Sequence, residues 1–251
     1  MSWTAVVLAG SRGAQDPVAR AAGVSHKAFA ALAGRPMIGH VLDALAAAPR
    51  IGEVIVVIEP GAPALPAGVR RLDAAASPAR SALAGLEAAA PPVLLTTADH
   101  PLLTAQMVEH FLAAAEASGA DVAAGVALRP VVEAAGSAAR RTYLRFRDGE
   151  ASGCNLFALM TPAARDALVF WQRLEAERKR PWRMARALGP LTLARYALGR
   201  LTMLGAATAL GRAAGCRAAM LVLPFPDAAH DVDKPDDLAF AERRLGERGG
   251  R

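Results

Sequence analysis

The sequence predicts an α/β fold with a mostly parallel, doubly wound sheet, and three observations carry that expectation. Dense apolar runs at Ala5-Val6-Val7-Leu8, Val54-Ile55-Val56-Val57-Ile58 and Val93-Leu94-Leu95 read as strands buried on both faces. Between them lie segments with apolar residues at helical spacing, such as Met37, Val41, Leu42 and Leu45. Turn residues follow each run: Gly10-Ser11, Pro60-Gly61 and Asp99-His100-Pro101. Strand, helix and strand in alternation build a parallel sheet by crossover connections.

The bulk properties narrow the class. A chain of 251 residues, 53% hydrophobic and 21% charged, is globular. We expect one domain over residues 1–251, with a basic helical elaboration embedded at about 160–215. The net charge of +6 suits an anionic partner. Cys154 and Cys216 stand apart without companions at metal spacing, so neither a zinc site nor a disulfide framework is expected. Met1-Ser2-Trp3 leads straight into the first strand, and no apolar run reaches the ~18 residues of a spanning helix. The expected setting is reducing and cytoplasmic.

The elements are justified in order. After the first strand, Gly10-Ser11-Arg12-Gly13 can aim backbone N–H groups at phosphate oxygens, or simply reverse the chain. Lys27 follows with a point charge suited to phosphate. A helix is expected over Pro36–Ala48, then the strand Glu53–Ile58 and a short edge strand near Val69–Leu72. Ser77 before Pro78 marks the start of the next helix. Asp99 lies just past the strand Val93–Leu95, at the end of the sheet where open parallel folds place their ligands. There it can hold Mg²⁺ or serve as a turn or cap residue. His100 reads as a loop bystander. A helix over Leu103–Ser118 leads to a strand over Asp121–Ala127, then to a hairpin turning at Asp148-Gly149 whose second strand runs from Gly153 to Leu159. Asn155 on that strand is either an acceptor contact or a satisfied buried amide.

Four of these blocks, taken together, resemble the nucleotidyltransferases with a glycosyltransferase-A-like fold, such as the molybdopterin guanylyl- and cytidylyltransferases. The blocks are LAGSRG with Lys27 and LAGRPMIGH, then SPARSALAGL, TADHPLL and DVDKPDDL, spread over residues 4–42, 77–88, 93–103 and 231–245. The resemblance implies that Leu8, Ala9, Gly10, Ser11 and Gly13 contact the nucleotide, with Ser77, Arg80 and Ser81 beside base and ribose. It implies catalytic roles for Lys27 and for Arg12, with Arg20 as the alternative arginine, since the loop lacks the usual glycine before Arg12. Asp99 and Asp233 would hold Mg²⁺, and Asn155 would face the acceptor. The implied reaction moves an NMP group from an NTP, with CTP or GTP favoured, to an anionic small-molecule or lipid-linked acceptor, releasing pyrophosphate. Lys234 stands where the family has threonine. A glycosyltransferase using Asp231-Val232-Asp233 as its metal motif and a non-catalytic nucleotide-binding protein remain alternatives.

One stretch lies outside those blocks. From Arg178 to Pro226 nine basic residues occur with no Asp or Glu, interleaved with Leu191, Leu198, Leu201 and Leu204. This pattern reads either as a solvated cationic face or as a surface for an anionic membrane. Nucleic acid is not expected as a partner, because the segment has few aromatics for stacking.

Overall fold

The computed structural model describes residues 1–11, 15–136, 141–177 and 189–249. Strand β1 (Trp3–Leu8) leads through the cleft loop to a short helix α1 (Pro17–Ala21), a 3₁₀ turn at Lys27–Phe29 and the two-residue strands β2 (Ala31–Leu32) and β3 (Arg35–Pro36). Helix α2 (Met37–Ala46), β4 (Ile51–Ile58), β5 (Arg70–Asp73), α3 (Pro78–Ala88) and β6 (Val93–Thr97) complete the first half. Then come α4 (Ala105–Ser118), β7 (Val122–Leu128), α5 (Arg129–Glu133), β8 (Leu144–Phe146), β9 (Gly149–Leu159) and α6 (Ala164–Ala176). The chain ends with α7 (Pro190–Ala197), α8 (Met203–Ala214), β10 (Ala218–Val222) and α9 (Pro235–Gly249).

The sheet order is β10-β7-β9-β6-β1-β4-β5, with β8 attached to β9. Strands β6, β1, β4 and β5 are mutually parallel, as are β7 and β10. Only β9 among the central strands runs against its neighbours, pairing with β6 through Val93↔Leu159 and with β7 through Val122↔Leu159. It is reversed because it is the return arm of the β8–β9 hairpin rather than the product of a crossover.

Alternation along β1 divides the core. Ala5 and Val7 pack with α2 and α4 residues such as Val41, Leu45 and Phe111. Val6 faces the other way, toward Ala82 and Leu86 of α3 and Leu168 of α6. Gly85 lets α3 sit close: a Cβ there would lie 2.5 Å from Val6 Cγ1. A third cluster, with Val18, Leu32, Met37, Val232 and Phe240, welds α1 and α9 onto the first block.

Several boundaries differ from the sequence reading, and two of them have a clear structural cause. Helix α2 starts at Met37 because Pro36 pairs with Ala31 in the β2–β3 ribbon and serves as the helix N-cap. The hairpin turns at Arg147-Asp148, since Phe146 pairs with Gly149. The Asp148 carboxylate accepts from Met203 N at 3.0 and 3.2 Å, and Arg147 N donates to Leu201 O at 2.8 Å, so the turn is set by contact with α8 and its leading loop.

Candidate functional site

The carboxyl ends of β1, β4, β5 and β6 open into a cleft of about 760 Å³. Leu8, Ala9, Gly10 and Ser11 form one wall. Ser77 and Ser81 stand at the start of α3, and Thr97, Asp99 and Asn155 lie across from them. The β1 loop is pinned at both ends: Ala9 N donates to Val57 O at 2.9 Å, and Ser11 N donates to Glu59 Oε1 at 2.7 Å. An anion meeting that loop must therefore compete with the Glu59 carboxylate for the Ser11 N–H. Arg12 and Gly13 lie outside the described residues. Arg20 is exposed on α1 and does not line the cleft.

Lys27 is the polar centre of the cleft. Its Nζ lies 2.7 Å from Asp99 Oδ2 and 3.2 Å from Asp233 Oδ1. Burial alone would push this ammonium down, but the two carboxylates outweigh it and its pKa is raised. Lys27 is thus held charged. The loops bearing its partners are joined directly, Val232 N donating to Asp99 O at 2.8 Å. Asp99 Oδ1 is buried and accepts no hydrogen bond among the described residues.

A third carboxylate, Asp231, completes the group. Arg141 binds its Oδ1, donates to its carbonyl oxygen at 3.1 Å and reaches Asp237 Oδ1 at 3.3 Å. Asn155 Nδ2 donates to Asp231 Oδ2 at 3.3 Å. Burial, with the charges of Asp233 and Asp99, raises the Asp231 pKa against the pull of Arg141. Asp237 accepts from Asp233 N and Lys234 N at 3.1 and 3.0 Å, so its carboxylate fixes the start of α9 as the reciprocal half of a capping box.

Asn155 reaches the cleft through a wide bulge in β9. Ala124 pairs with Phe157 and Val126 with Gly153, so three β9 residues stand opposite Gly125. At the centre of that bulge Asn155 has φ +50°, a left-handed conformation that asparagine tolerates better than most residues. Neighbouring Cys154 is buried in the core; burial, with Asp231 nearby, pushes its thiol up to about 12. A thiolate nucleophile is therefore excluded there.

The serines shape the wall. Ser77 Oγ accepts from Arg80 N at 3.4 Å as the α3 N-cap, and Ser81 Oγ accepts from Ala75 N at 2.9 Å, holding the preceding loop. Arg80 does not line the cleft. His100 is packed in the interior beneath Asp99 rather than lying in an open loop. Three contributors went unread in the sequence: Arg141, and Trp171 with Glu175, one turn apart on α6 and both lining the cleft. The spacing of the last two was visible, but only the packing of α6 on α3 brings them to the site.

Residues 5–170 match the family of the MobA-like NTP transferase domain. The chain belongs to that family. This family member is similar to a hypothetical transferase from Thermus thermophilus, 35% identical, with a TM-score of 0.82 over 95% of this chain and 100% of that one. It shares its fold with 2-C-methyl-D-erythritol 4-phosphate cytidylyltransferase, also from Thermus thermophilus, at 18% identity and a TM-score of 0.57 over 98% of this chain and 100% of that one. It is also 33% identical over 132 residues to the curated enzyme of that name from Ralstonia nicotianae, covering 45% of this chain. The match spans about half, 52%, of that curated relative's length.

Proposed function

We propose that this protein transfers a nucleoside monophosphate from an NTP to an anionic, phosphorylated acceptor. An acceptor oxygen would attack the α-phosphorus, the bond from that phosphorus to the β-phosphate oxygen would break, and pyrophosphate would leave. The acceptor phosphate is already ionised near neutral pH, so the reaction asks for positioning and charge neutralisation rather than a general base. The observation that carries the reading is Lys27, held charged between Asp99 and Asp233 at the carboxyl ends of the sheet.

In this reading the ammonium of Lys27 exchanges its carboxylate partners for phosphate oxygens and steadies the charge that grows on them. The backbone from Leu8 to Ser11 lies along the nucleotide, Ser77 and Ser81 shape the pocket for base and ribose, and Asn155 borders the acceptor. Asp99 and Asp233 suit Mg²⁺: the donors are all oxygen, and the buried, unsatisfied Asp99 Oδ1 has acceptor capacity to spare. Two carboxylates leave most positions around such an ion to phosphate oxygens and water, the pattern Mg²⁺ prefers. When bound, Mg²⁺ would neutralise phosphate charge.

Glu175 and Trp171 favour a base that carries amino donors and can stack, as cytosine and guanine do, over uracil. The glycosyltransferase alternative is weakened because Asp231, the first acid of its motif, is already engaged by Arg141 and Asn155. A thermal-shift panel of the four NTPs with and without Mg²⁺ tests the proposal. CTP or GTP should raise the Tm in a concentration-dependent way, more strongly with Mg²⁺. No shift with any NTP would overturn it.

A further inference from the structure

Away from the cleft, α7 and α8 present a surface that the fold does not use. Helix α7 buries none of its residues. Leu191, Leu198 and Leu204 are 65%, 65% and 74% exposed, a concentration of bare aliphatic surface that an aqueous face does not need. Leu191, Arg195, Leu204 and Arg212 together line a groove of about 650 Å³ between the two helices. Each helix therefore offers both a leucine and an arginine to the same depression.

The charges beside these leucines are uncompensated. Over the described residues from Gly189 to Pro226 the sequence contains four basic residues, Arg195, Arg200, Arg212 and Arg217, and no acid. Among the described residues, Arg195, Arg200 and Arg212 have no ion-pair partner, whereas Arg217 at the end of the same stretch is tied to Asp121 at 3.2 Å. Exposed aliphatic side chains lining one groove with guanidinium groups that have no ion-pair partner among the described residues match an interface in which acyl chains lie beneath anionic headgroups.

We propose that the α7–α8 face docks this protein on an anionic lipid surface. The leucines would enter the boundary between headgroups and acyl chains, while the arginines stay among the phosphates. A second copy of the chain fits less well, because a self-complementary contact would bring like charges together. A nucleic acid would leave the leucines unused, and Tyr196 is the lone aromatic side chain among the described residues of these two helices. Attachment would be peripheral: among the described residues, no helix is long and apolar enough to cross a membrane. The proposal stands independently of the transferase reading.

The test is co-sedimentation of the full chain with vesicles of phosphatidylcholine alone or of equal parts phosphatidylcholine and phosphatidylglycerol, at low and high salt. Binding should be confined to the anionic vesicles and weaken with salt. Arg195→Ser with Arg212→Ser should lower partitioning roughly thirty-fold, taking the usual contribution of a basic residue near such a surface. Leu191→Ser with Leu204→Ser should reduce binding strongly without lowering the Tm, since both side chains are exposed. Absence of binding, equal binding to neutral vesicles, or leucine variants that bind like the parent would each overturn the proposal. So would a solution dimer, seen by sedimentation velocity, that the leucine variants dissolve.

Discussion

Lys27 and Asp99 are separated by 72 positions in the chain, yet Nζ and Oδ2 lie 2.7 Å apart. The contact places a cation against the two carboxylates proposed to hold Mg²⁺, so in that reading the lysine and the metal would compete for the same carboxylate groups. Lys27→Ala should therefore have two opposite effects. Turnover should fall by about 10²–10³, as expected when a preorganised charge is lost from a transition state. Binding of Mn²⁺ as a Mg²⁺ substitute to the nucleotide-free protein should tighten, because the resident cation is gone. Unchanged kcat would remove Lys27 from the proposed chemistry, and unchanged metal affinity would show that the carboxylates do not hold the ion.

Asp99→Asn and Asp233→Asn should each weaken NTP binding in the presence of Mg²⁺ and flatten its dependence on the metal. Asp99 should be the more sensitive, since its side chain is 23% exposed against 62% for Asp233. Calorimetric titration with and without Mg²⁺ measures both effects. Parent-like affinity with parent-like metal dependence in both variants would rule out these residues as the metal-binding pair.

Gly85→Ala should destabilise the fold by about 1–3 kcal/mol through overpacking, because α3 has no room for a methyl group against Val6. Removing the obstruction with Val6→Ala should make the double variant lose less than the sum of the single losses. Urea unfolding of the four proteins gives the coupling. Simple additivity would mean that the close helix–strand approach is not what the glycine protects.

Acid should unfold the protein early. Burial pushes the imidazoles of His100 and His230 down from 6.5 to about 4. Between those values the unfolded chain binds the protons and the folded chain does not, so stability rises with pH across the window and is lost as pH falls through it. Each ring contributes up to about 1.4 kcal/mol per pH unit there. Denaturant melts at stepped pH should show this slope, and His230→Gln should reduce it. A slope that is unchanged in the variant would mean that His230 is not one of the groups responsible.

The parts legible in the sequence were those decided locally. The dense runs of β1, β4 and β6 need burial on both faces whatever surrounds them, and Ser77-Pro78 carries its own capping chemistry. Lys27, Asp99 and Asp233 could be named because each sits in a recognisable block. Strand order was not legible in the same way. Nothing in Gly153–Leu159 states that this strand will run antiparallel between β6 and β7, because that follows from the hairpin return. Arg141 gave no signal, since its partners Asp231 and Asp237 lie 90 and 96 positions away. The place of Trp171 and Glu175 depended on how α6 packs against α3.

Strand β9 has a consequence for how such a chain can diverge. It is a seam: the parallel block β6-β1-β4-β5 on one side comes wholly from the first 97 residues, and β7 with β10 lies on the other. Lys27 comes from within that stretch and its partner Asp99 from the loop just past β6. Later segments reach the cleft at a few points, among them Asn155, Trp171, Glu175 and Asp233. A lineage can therefore lengthen, shorten or exchange the stretch between α6 and β10 without rebuilding the crevice itself. What would change in such an exchange is the surface that the molecule meets, while the parallel block that bears the crevice keeps its own packing.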